Sequence, residues 1–309
     1  MEASRKVVYA SLASNVVIAI AKLIVAAITG SSAMLAEALH SIVDTANSFL
    51  LLLGISRSRR PAPEAHPLGR GLELYFWSFV VAVSMFSVAG GLSIWHGISH
   101  FVDPQPVTRE LWSYFVLGIA VLFSAFSLAI ALNEISRRKG DMSIFEFIRR
   151  SKDPLVYTVL LEDVGDVVGG GIAIAAIFLS IRLHDPRYDG AGSILIGLVI
   201  LAVSGVLVNE SRGLLVGEAA PRHDVARMKE LLATDPSVDR VGELLTMQLG
   251  PADILLNADI GFKQHRSVEE LEHTIDRLEA RVRRDYPEVR HLFIEADSIG
   301  ERKRRKRAS

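Results

Sequence analysis

The sequence contains no cysteine in 309 residues. This absence excludes disulfide bonds, cysteine-type zinc fingers, iron–sulfur clusters and catalysis by a thiol. Any metal site must therefore use histidine, carboxylate, amide or water ligands. The chain also lacks an excess of either charge, because 34 Lys and Arg against 35 Asp and Glu give a formal net charge of −1. No global field therefore favours nucleic acid, and we expect no nucleic-acid partner.

Apolar sequence is abundant. Half of the residues are hydrophobic and the mean hydropathy is +0.32, although 22% of the residues are charged. These values indicate that apolar and charged residues are segregated along the chain. A helix needs about 20 residues to cross a bilayer. The sequence predicts a polytopic α-helical membrane protein with six transmembrane helices, at 7–29, 33–55, 74–98, 111–133, 155–181 and 191–210.

The positions of Lys and Arg in the short loops predict the orientation. The loops after the second and fourth spans are rich in these residues: Arg57, Arg59, Arg60 and Arg70, and then Arg137, Arg138, Lys139, Arg149, Arg150 and Lys152. The loops on the opposite side carry few of them. We therefore expect both termini to be cytoplasmic, and we expect an integral multi-pass protein of a bacterial inner membrane.

Residues 218–298 have the composition of a small cytoplasmic domain that follows the transport domain at 1–217. The pattern predicts a helix at 224–233, strands at 238–248 and 253–262, a helix at 267–285 and a strand at 289–296. Ser267 and Glu270 have the spacing of a capping box. The order α-β-β-α-β predicts a ferredoxin-like α+β domain. Residues 299–309 are basic and are expected to form a disordered tail, with contact to anionic lipid as a second use.

Polar residues inside the predicted spans are the strongest functional signal. A charge at the bilayer centre costs at least about 2.5–3.5 kcal/mol on insertion scales, so each one is by default a functional hypothesis. The second span contains Glu37, His40, Asp44 and Asn47. At about 100° per residue they lie within roughly 80° of arc on one helix face. In lipid this face must line a cavity or meet partner groups.

The fifth span adds Glu162, Asp163 and Asp166. His40 and Asp44 with two of these carboxylates could surround one ion tetrahedrally, and zinc accepts both nitrogen and carboxylate oxygen. Carboxylates brought together without a cation repel one another and take up protons. A divalent ion and protons can therefore replace each other, which is the requirement for a metal/proton antiporter.

Lys22 in the first span has two open interpretations. Its ammonium could form an ion pair that stabilises one transport state, or its flexible stem could carry it toward the membrane interface. Pairing of a single buried acid or histidine with a helix backbone or with Lys22 is also the structural alternative to an ion pathway. Two opposed polar clusters in one chain favour the pathway, whereas they leave the identity of the ion open.

Three motifs resemble the cation diffusion facilitator family of divalent-metal transporters. They are SAMLAEALHSIVD at 32–44, HPLGRGLE at 66–73 and YDGAGSILIG at 188–197. The resemblance covers the whole chain, and the LLED sequence at 160–163 is most similar to the zinc transporter nine-like branch. The resemblance implies a homodimer that exports zinc or a related ion from the cytoplasm in exchange for protons by alternating access.

The resemblance also implies site residues. The transport positions of the family correspond to His40 and Asp44, and its usual His-x-x-x-Asp pattern in the fifth span reads Glu162-x-x-x-Asp166 here. A carboxylate in place of an imidazole makes a harder site, which leaves manganese, iron or cobalt open beside zinc. The zinc transporter nine-like branch keeps the Glu-Asp pair, so the ligand is either Glu162 or Asp163.

Other sites found in this family have weaker counterparts. His66 matches one ligand of a second zinc site of some members, but Arg70 stands where a second histidine is often found and would repel a cation. Four acids lie roughly where the cytoplasmic domain of some members binds zinc: Asp259, Glu272, Glu295 and Asp297. The simpler interpretation is that these four residues are ordinary surface acids.

The resulting prediction is a dimeric, proton-coupled transporter in the lipid bilayer that prefers zinc and holds no cofactor besides the transported cation. The metal ligands are predicted among His40, Asp44, Glu162, Asp163 and Asp166, with Glu37, Asn47 and His66 as weaker candidates. Alternatives of other classes are a metal-gated channel that uses the same acids and a metal sensor or scaffold. No nucleophile–base arrangement or nucleotide-binding loop favours an enzyme.

Overall fold

The computed structural model describes residues 2–140, 142–143, 147, 152–263 and 267–296, with the side chains of 2–14, 134, 138, 155 and 156 excluded. Contacts divide the chain into two units. The membrane unit runs to Arg57 and from Glu73 to Arg212, and the second unit comprises Ser58–Leu72 and the chain from Gly213. The predicted tail at 299–309 and Asp297 lie outside the described residues.

The N-terminal two thirds of the chain is helical. Its elements are α1 (Glu2–Thr29), α2 (Ser32–Ser58), α3 (Leu72–Ser84), a π-helical turn (Met85–Gly90), α4 (Gly91–Val102), α5 (Glu110–Arg138), α6 (Pro154–Leu183) and α7 (Arg187–Val216). Every helix or continuous helical stretch extends beyond its predicted span, because a helix can continue through the polar headgroup region after the apolar sequence has ended.

Five helical stretches in the described part of the chain are long and apolar enough to cross a membrane. They are α2, the continuous stretch Leu72–Val102, α5, α6 and α7. The first predicted span, 7–29, is not confirmed as a membrane span. The α1 helix is continuous, but its described apolar part is only Asn15–Thr29, shorter than the 18 residues that a candidate span requires. The protein therefore has a multi-pass helical membrane domain with about five candidate spans.

Glycine pairs bring the π-helical turn and α4 into backbone contact with α7. A Cβ atom on Gly97 would lie 2.8 Å from the carbonyl oxygen of Gly190, and one on Gly197 would lie 3.0 Å from that of Gly90. Small residues at such positions allow membrane helices to approach closely. This packing fixes the end of α4 beside the start of α7.

The second unit has the element order α-β-β-α-β, as predicted. It consists of α8 (Arg222–Ala233), β1 (Val238–Gly250), β2 (Asp253–Phe262), α9 (Val268–Asp285) and β3 (Val289–Ala296). The sheet order is β1-β2-β3, with β1 antiparallel and β3 parallel to β2. The capping-box prediction is confirmed on the Ser267 side, because the Ser267 hydroxyl accepts a hydrogen bond from the Glu270 backbone N–H.

Apolar side chains from α8, β2 and α9 form the core of this small α+β domain. Met228 and Leu232 of α8 pack with Leu256 of β2 and with Leu278 and Val282 of α9, and all five are buried. The segment Ser58–Leu72 also belongs to this unit. At Gly71 a Cβ atom would collide with the Leu249 carbonyl group, so the close approach of the two backbones requires glycine.

We expect Asp235→Asn to weaken the second unit at neutral pH and to flatten its acid sensitivity. Arg277 donates two hydrogen bonds of 2.9 Å to the Asp235 carboxylate, and chiefly this interaction lowers the pKa of Asp235. A lowered pKa stabilises the fold above the pKa of the unfolded state, about 3.9, and this contribution is lost as the pH falls through the folded-state pKa.

Hydrogen exchange of the β1 and α9 amides in the full chain measures this effect, with wild type and variant compared at each pH. The difference in exchange rate between wild type and Asp235→Asn should be largest above about pH 5 and should become smaller toward about pH 3. The exposed Asp276 provides the matched control, Asp276→Asn. A difference that is the same at every pH would contradict the prediction.

Candidate metal-transport site

The α2 and α6 helices bring three predicted ligands together. The ligand atoms of His40, Asp44 and Asp166 all lie within 4.8 Å of one another. His40 Nε2 is 3.5 Å from Asp44 Oδ1, and His40 Nδ1 is 3.9 Å from Asp166 Oδ1. The i, i+4 spacing on α2 places both of its ligands on one face. Gly165 of α6 leaves room for the imidazole, because a Cβ atom there would lie 3.3 Å from His40 Cε1.

Polar atoms of this cluster are buried without hydrogen-bond partners in the described part of the chain. They are both ring nitrogens of His40, both carboxylate oxygens of Asp44 and the Oδ1 atom of Asp166. Each unsatisfied buried polar group costs about 1–3 kcal/mol, and more if it is charged. A cation or added protons among these atoms would remove that cost.

Side chains on α2 and α5 hold the acids of α6 in place. Asn47 Nδ2 donates to Glu162 Oε1 at 3.2 Å. On α5, Ser127 Oγ donates to Asp163 Oδ2 at 2.8 Å and Ser124 Oγ donates to Asp166 Oδ2 at 3.1 Å. The sequence reasoning missed both serines. Their i, i+3 spacing within the long apolar stretch of α5 was the available signal.

The acids of both helices border one cavity of about 190 Å³. Its lining includes Asp44, Glu162, Asp163 and Asp166. The structure thus places all four carboxylates around one cavity. Asp44 and Asp166 lie beside the imidazole of His40. Glu162 is hydrogen-bonded to Asn47, and Asp163 is hydrogen-bonded to Ser127. The arrangement provides one nitrogen and several oxygens for a cation.

Lys22 forms an ion pair. Its Nζ atom lies 3.0 Å from Glu37 Oε2 and donates a 2.7 Å hydrogen bond to Ser41 Oγ. Lys22 is only 2% exposed and Glu37 1%. Of the two interpretations of Lys22, the structure therefore shows the buried ion pair, and it places Glu37 in this pair rather than among the clustered ligand atoms.

The remaining predicted residues lie elsewhere. His66 is exposed in the segment Ser58–Leu72. Among the described residues, neither His66 nor Asp259, Glu272 or Glu295 belongs to a group of three potential metal ligands. Glu295 instead accepts a 3.3 Å hydrogen bond from Asn257.

We expect Gly169→Ala to destabilise the membrane unit, whereas Gly171→Ala should be tolerated. A Cβ atom on Gly169 would collide with Glu37 Oε1 and would displace the partner of Lys22, whereas one on Gly171 would meet nothing within 4 Å. Overpacking of this kind costs about 1–3 kcal/mol. Unfolding of the two purified variants in the same detergent measures the difference. Equal stability would contradict the predicted contact.

The chain matches two domains of known proteins. Residues 8–216 match the cation efflux transmembrane domain, and residues 220–299 match the cytoplasmic domain of cation efflux proteins. These matches cover both the helical domain and the small α+β domain.

Similar full-length proteins include two mitochondrial proton-coupled zinc antiporters (SLC30A9). The one from Xenopus laevis is 31% identical over 335 residues, which cover 96% of this chain and 60% of the relative. The one from Homo sapiens is 31% identical over 306 residues, which cover 86% and 54%. The chain thus spans little more than half the length of these relatives. The magnetosome protein MamM of Magnetospirillum gryphiswaldense is 27% identical over 311 residues, covering 96% and 90%.

Proposed function

The chain belongs to the cation diffusion facilitator, or cation efflux, family of metal transporters, and from this premise we propose that it exports zinc from the cytoplasm in exchange for protons. Family membership confirms the predictions of a multi-pass membrane transporter and of transport rather than enzymatic activity. The identity of the transported metal and the coupling to protons are our proposal.

The unsatisfied buried atoms of His40, Asp44 and Asp166 carry the proposal. Two carboxylates beside one imidazole repel each other unless a cation or protons are present. A divalent ion would satisfy these atoms in one conformation, and protons would satisfy them after the ion has left. Metal binding to such ligands releases protons, so metal and proton compete for the same atoms.

Glu162 is our choice for the fourth ligand. Its partner Asn47 lies on the ligand-bearing face of α2, one turn beyond Asp44. The carboxylate of Asp163 is instead tied to Ser127 on α5. The set His40, Asp44, Glu162 and Asp166 has a single nitrogen, so manganese, iron or cobalt is the second candidate cargo, since these ions accept oxygen-rich sites.

The names of the relatives support zinc and protons. The proteins from Xenopus laevis and Homo sapiens are named proton-coupled zinc antiporters. Because this chain spans only 60% and 54% of their lengths, their cargo and coupling enter here as part of the proposal.

The architecture of the working transporter completes the proposal. We assign a sixth crossing to α1, which gives six spans with both termini cytoplasmic, as the Lys and Arg distribution predicts. The match of residues 220–299 to the cation efflux cytoplasmic domain supports a homodimer. A bacterial inner membrane is the proposed location.

Flux into proteoliposomes with a pH dye inside tests the proposal. Zinc, manganese, iron, cobalt and cadmium are offered separately under an imposed proton gradient. Saturable zinc flux with opposite proton movement is the expected result. Flux of manganese or iron without zinc would overturn the cargo. Flux without proton movement would favour the channel, and binding without flux would favour the sensor.

We expect Glu162→Ala and Asp163→Ala to differ in severity. Loss of Glu162 removes a proposed ligand and should lower zinc flux by at least about 100-fold, the upper end of the losses seen when a ligand is disturbed indirectly, whereas loss of Asp163 frees Ser127 and should have a smaller effect. The flux assay measures both variants at equal protein content. Equal, mild defects would mean that Asp166 is the only metal ligand that α6 provides.

A further inference from the structure

The end of α4 carries a second group of potential ligands. His96 and His100 are four residues apart and therefore lie on one face of α4, and Asp103 directly follows the last residue of this helix. All three line a cavity of about 400 Å³ with residues of α1 and α2, including Ser31 and Ser32 at the start of α2. These residues do not include the proposed transport ligands.

A buried carboxylate lies beside the His100 ring. Its Nε2 atom is buried without a hydrogen-bond partner among the described residues and lies 3.7 Å from Asp189 Oδ2. Asp189 is fully buried at the start of α7. Metal-binding histidines commonly have a carboxylate partner on one ring nitrogen and bind the ion with the other. Because Nε2 faces Asp189, we assign Nδ1 of His100 as the nitrogen that would bind an ion.

Asp189 is held rigidly by α2. It accepts a 2.6 Å hydrogen bond from Ser31 Oγ and further bonds from the backbone N–H groups of Ser32 and Ala33. The N-terminus of α2 is thus already occupied by an anionic group. An anion from solvent would be repelled by Asp189, and a cation would be attracted to it.

The cavity lining has the chemistry of a cation site. Among the described residues it contains no lysine or arginine. Ser32, a further lining residue, has a buried Oγ atom without a hydrogen-bond partner in the described part of the chain. Asp103 Oδ1 accepts only a long, 3.4 Å hydrogen bond from Gln105. Two imidazoles, a carboxylate and hydroxyl groups suit a borderline divalent ion such as zinc or cobalt.

We propose that this cavity is a second, weaker binding site for a divalent cation, with His96, His100 and Asp103 as ligands and Asp189 as the residue that positions His100. The site is weaker because these side chains must rotate to close around an ion, since only the His40 cluster has three ligand atoms within 4.8 Å among the described residues. Binding here does not depend on transport.

The role of the site rests on the proposed function. The helix α2 begins at this cavity and carries Asp44 12 residues after Ser32, about 18 Å along the helix axis. With the proposed orientation the cavity lies on the side opposite the cytoplasm. An ion released from the transport site would pass this second site, and its low affinity would permit release.

Titration of the full chain in detergent with cobalt(II) tests the inference, because the intensity of its visible absorption bands reports the coordination geometry of the bound ion and the variants identify the ligands. Wild type should show a strong and a weak class of sites. Asp44→Ala should keep the weak class, and His96→Gln/His100→Gln should keep the strong class. Asp189→Asn should weaken the weak class by about 10–100-fold, the effect of losing a carboxylate partner of a histidine ligand.

The matched control is His273→Gln, because His273 is exposed. The single variant His96→Gln replaces the double variant if the double variant does not fold, and size-exclusion profiles show which variants are folded. Absence of cobalt binding in Asp44→Ala, or both classes kept in the folded double variant, would overturn the inference. A failure of the proposed function is distinguishable, because it would remove zinc flux from the wild type and leave the weak cobalt class intact.

Discussion

Replacing Asp44 by alanine is expected to abolish metal flux and leave the protein folded. Asp44 offers two buried oxygens that have no hydrogen-bond partner among the described residues, and it lies 3.5 Å from His40. Removal of a direct ligand should lower flux by at least about 100-fold, the upper end of the losses seen when a ligand is disturbed indirectly. The substitution also removes one of several mutually repelling carboxylates, so it should not destabilise the metal-free protein.

Uptake into inside-out vesicles and metal titration of the purified variant check this result together. Asp276→Ala, which removes an exposed carboxylate of α9, is the matched control and should transport normally. Retained uptake by Asp44→Ala would remove Asp44 from the transport site. Lost uptake with loss of the folded protein would instead show that the carboxylate is structural.

Breaking the Lys22–Glu37 pair is expected to destabilise the membrane unit strongly. Both groups are almost fully buried, and the Lys22 ammonium also donates to Ser41. Loss of one partner of a buried ion pair costs about 3–5 kcal/mol, because the other charge stays buried without compensation. Lys22→Met and Glu37→Gln should therefore each lower the stability of the purified protein.

The double variant Lys22→Met/Glu37→Gln separates this explanation from a packing defect. Because it buries no unpaired charge, it should recover most of the stability that each single variant loses. Thermal unfolding of all three variants in one detergent provides the comparison. Additive losses in the double variant would contradict the ion-pair explanation.

The ion pair also affects the electrostatics of the transport site. Lys22 lines the same cavity as Asp44 and Asp166, where a free ammonium would repel a divalent cation. Its contact with Glu37 offsets that positive charge. In our proposal the buried charges therefore have two roles: the Lys22–Glu37 pair stabilises the helices, and the other acids bind the ion.

The sequence alone determined which residues share a helix face. His40 and Asp44, and likewise Glu162 and Asp166, are four residues apart, and helical periodicity places each pair on one face whatever the helix packs against. Other local patterns predicted the Ser267 cap and the element order of the second unit. These features depend only on neighbours along the chain.

Only the tertiary structure decided which faces meet. It pairs Lys22 with Glu37, and it binds Asp189 to Ser31 across 158 residues of sequence. It also brings the serines of α5 to the acids of α6 and places Ser58–Leu72 in the second unit. The sequence left these partners open because a buried polar group needs some partner, and several helices could supply one. Helix packing selects among them.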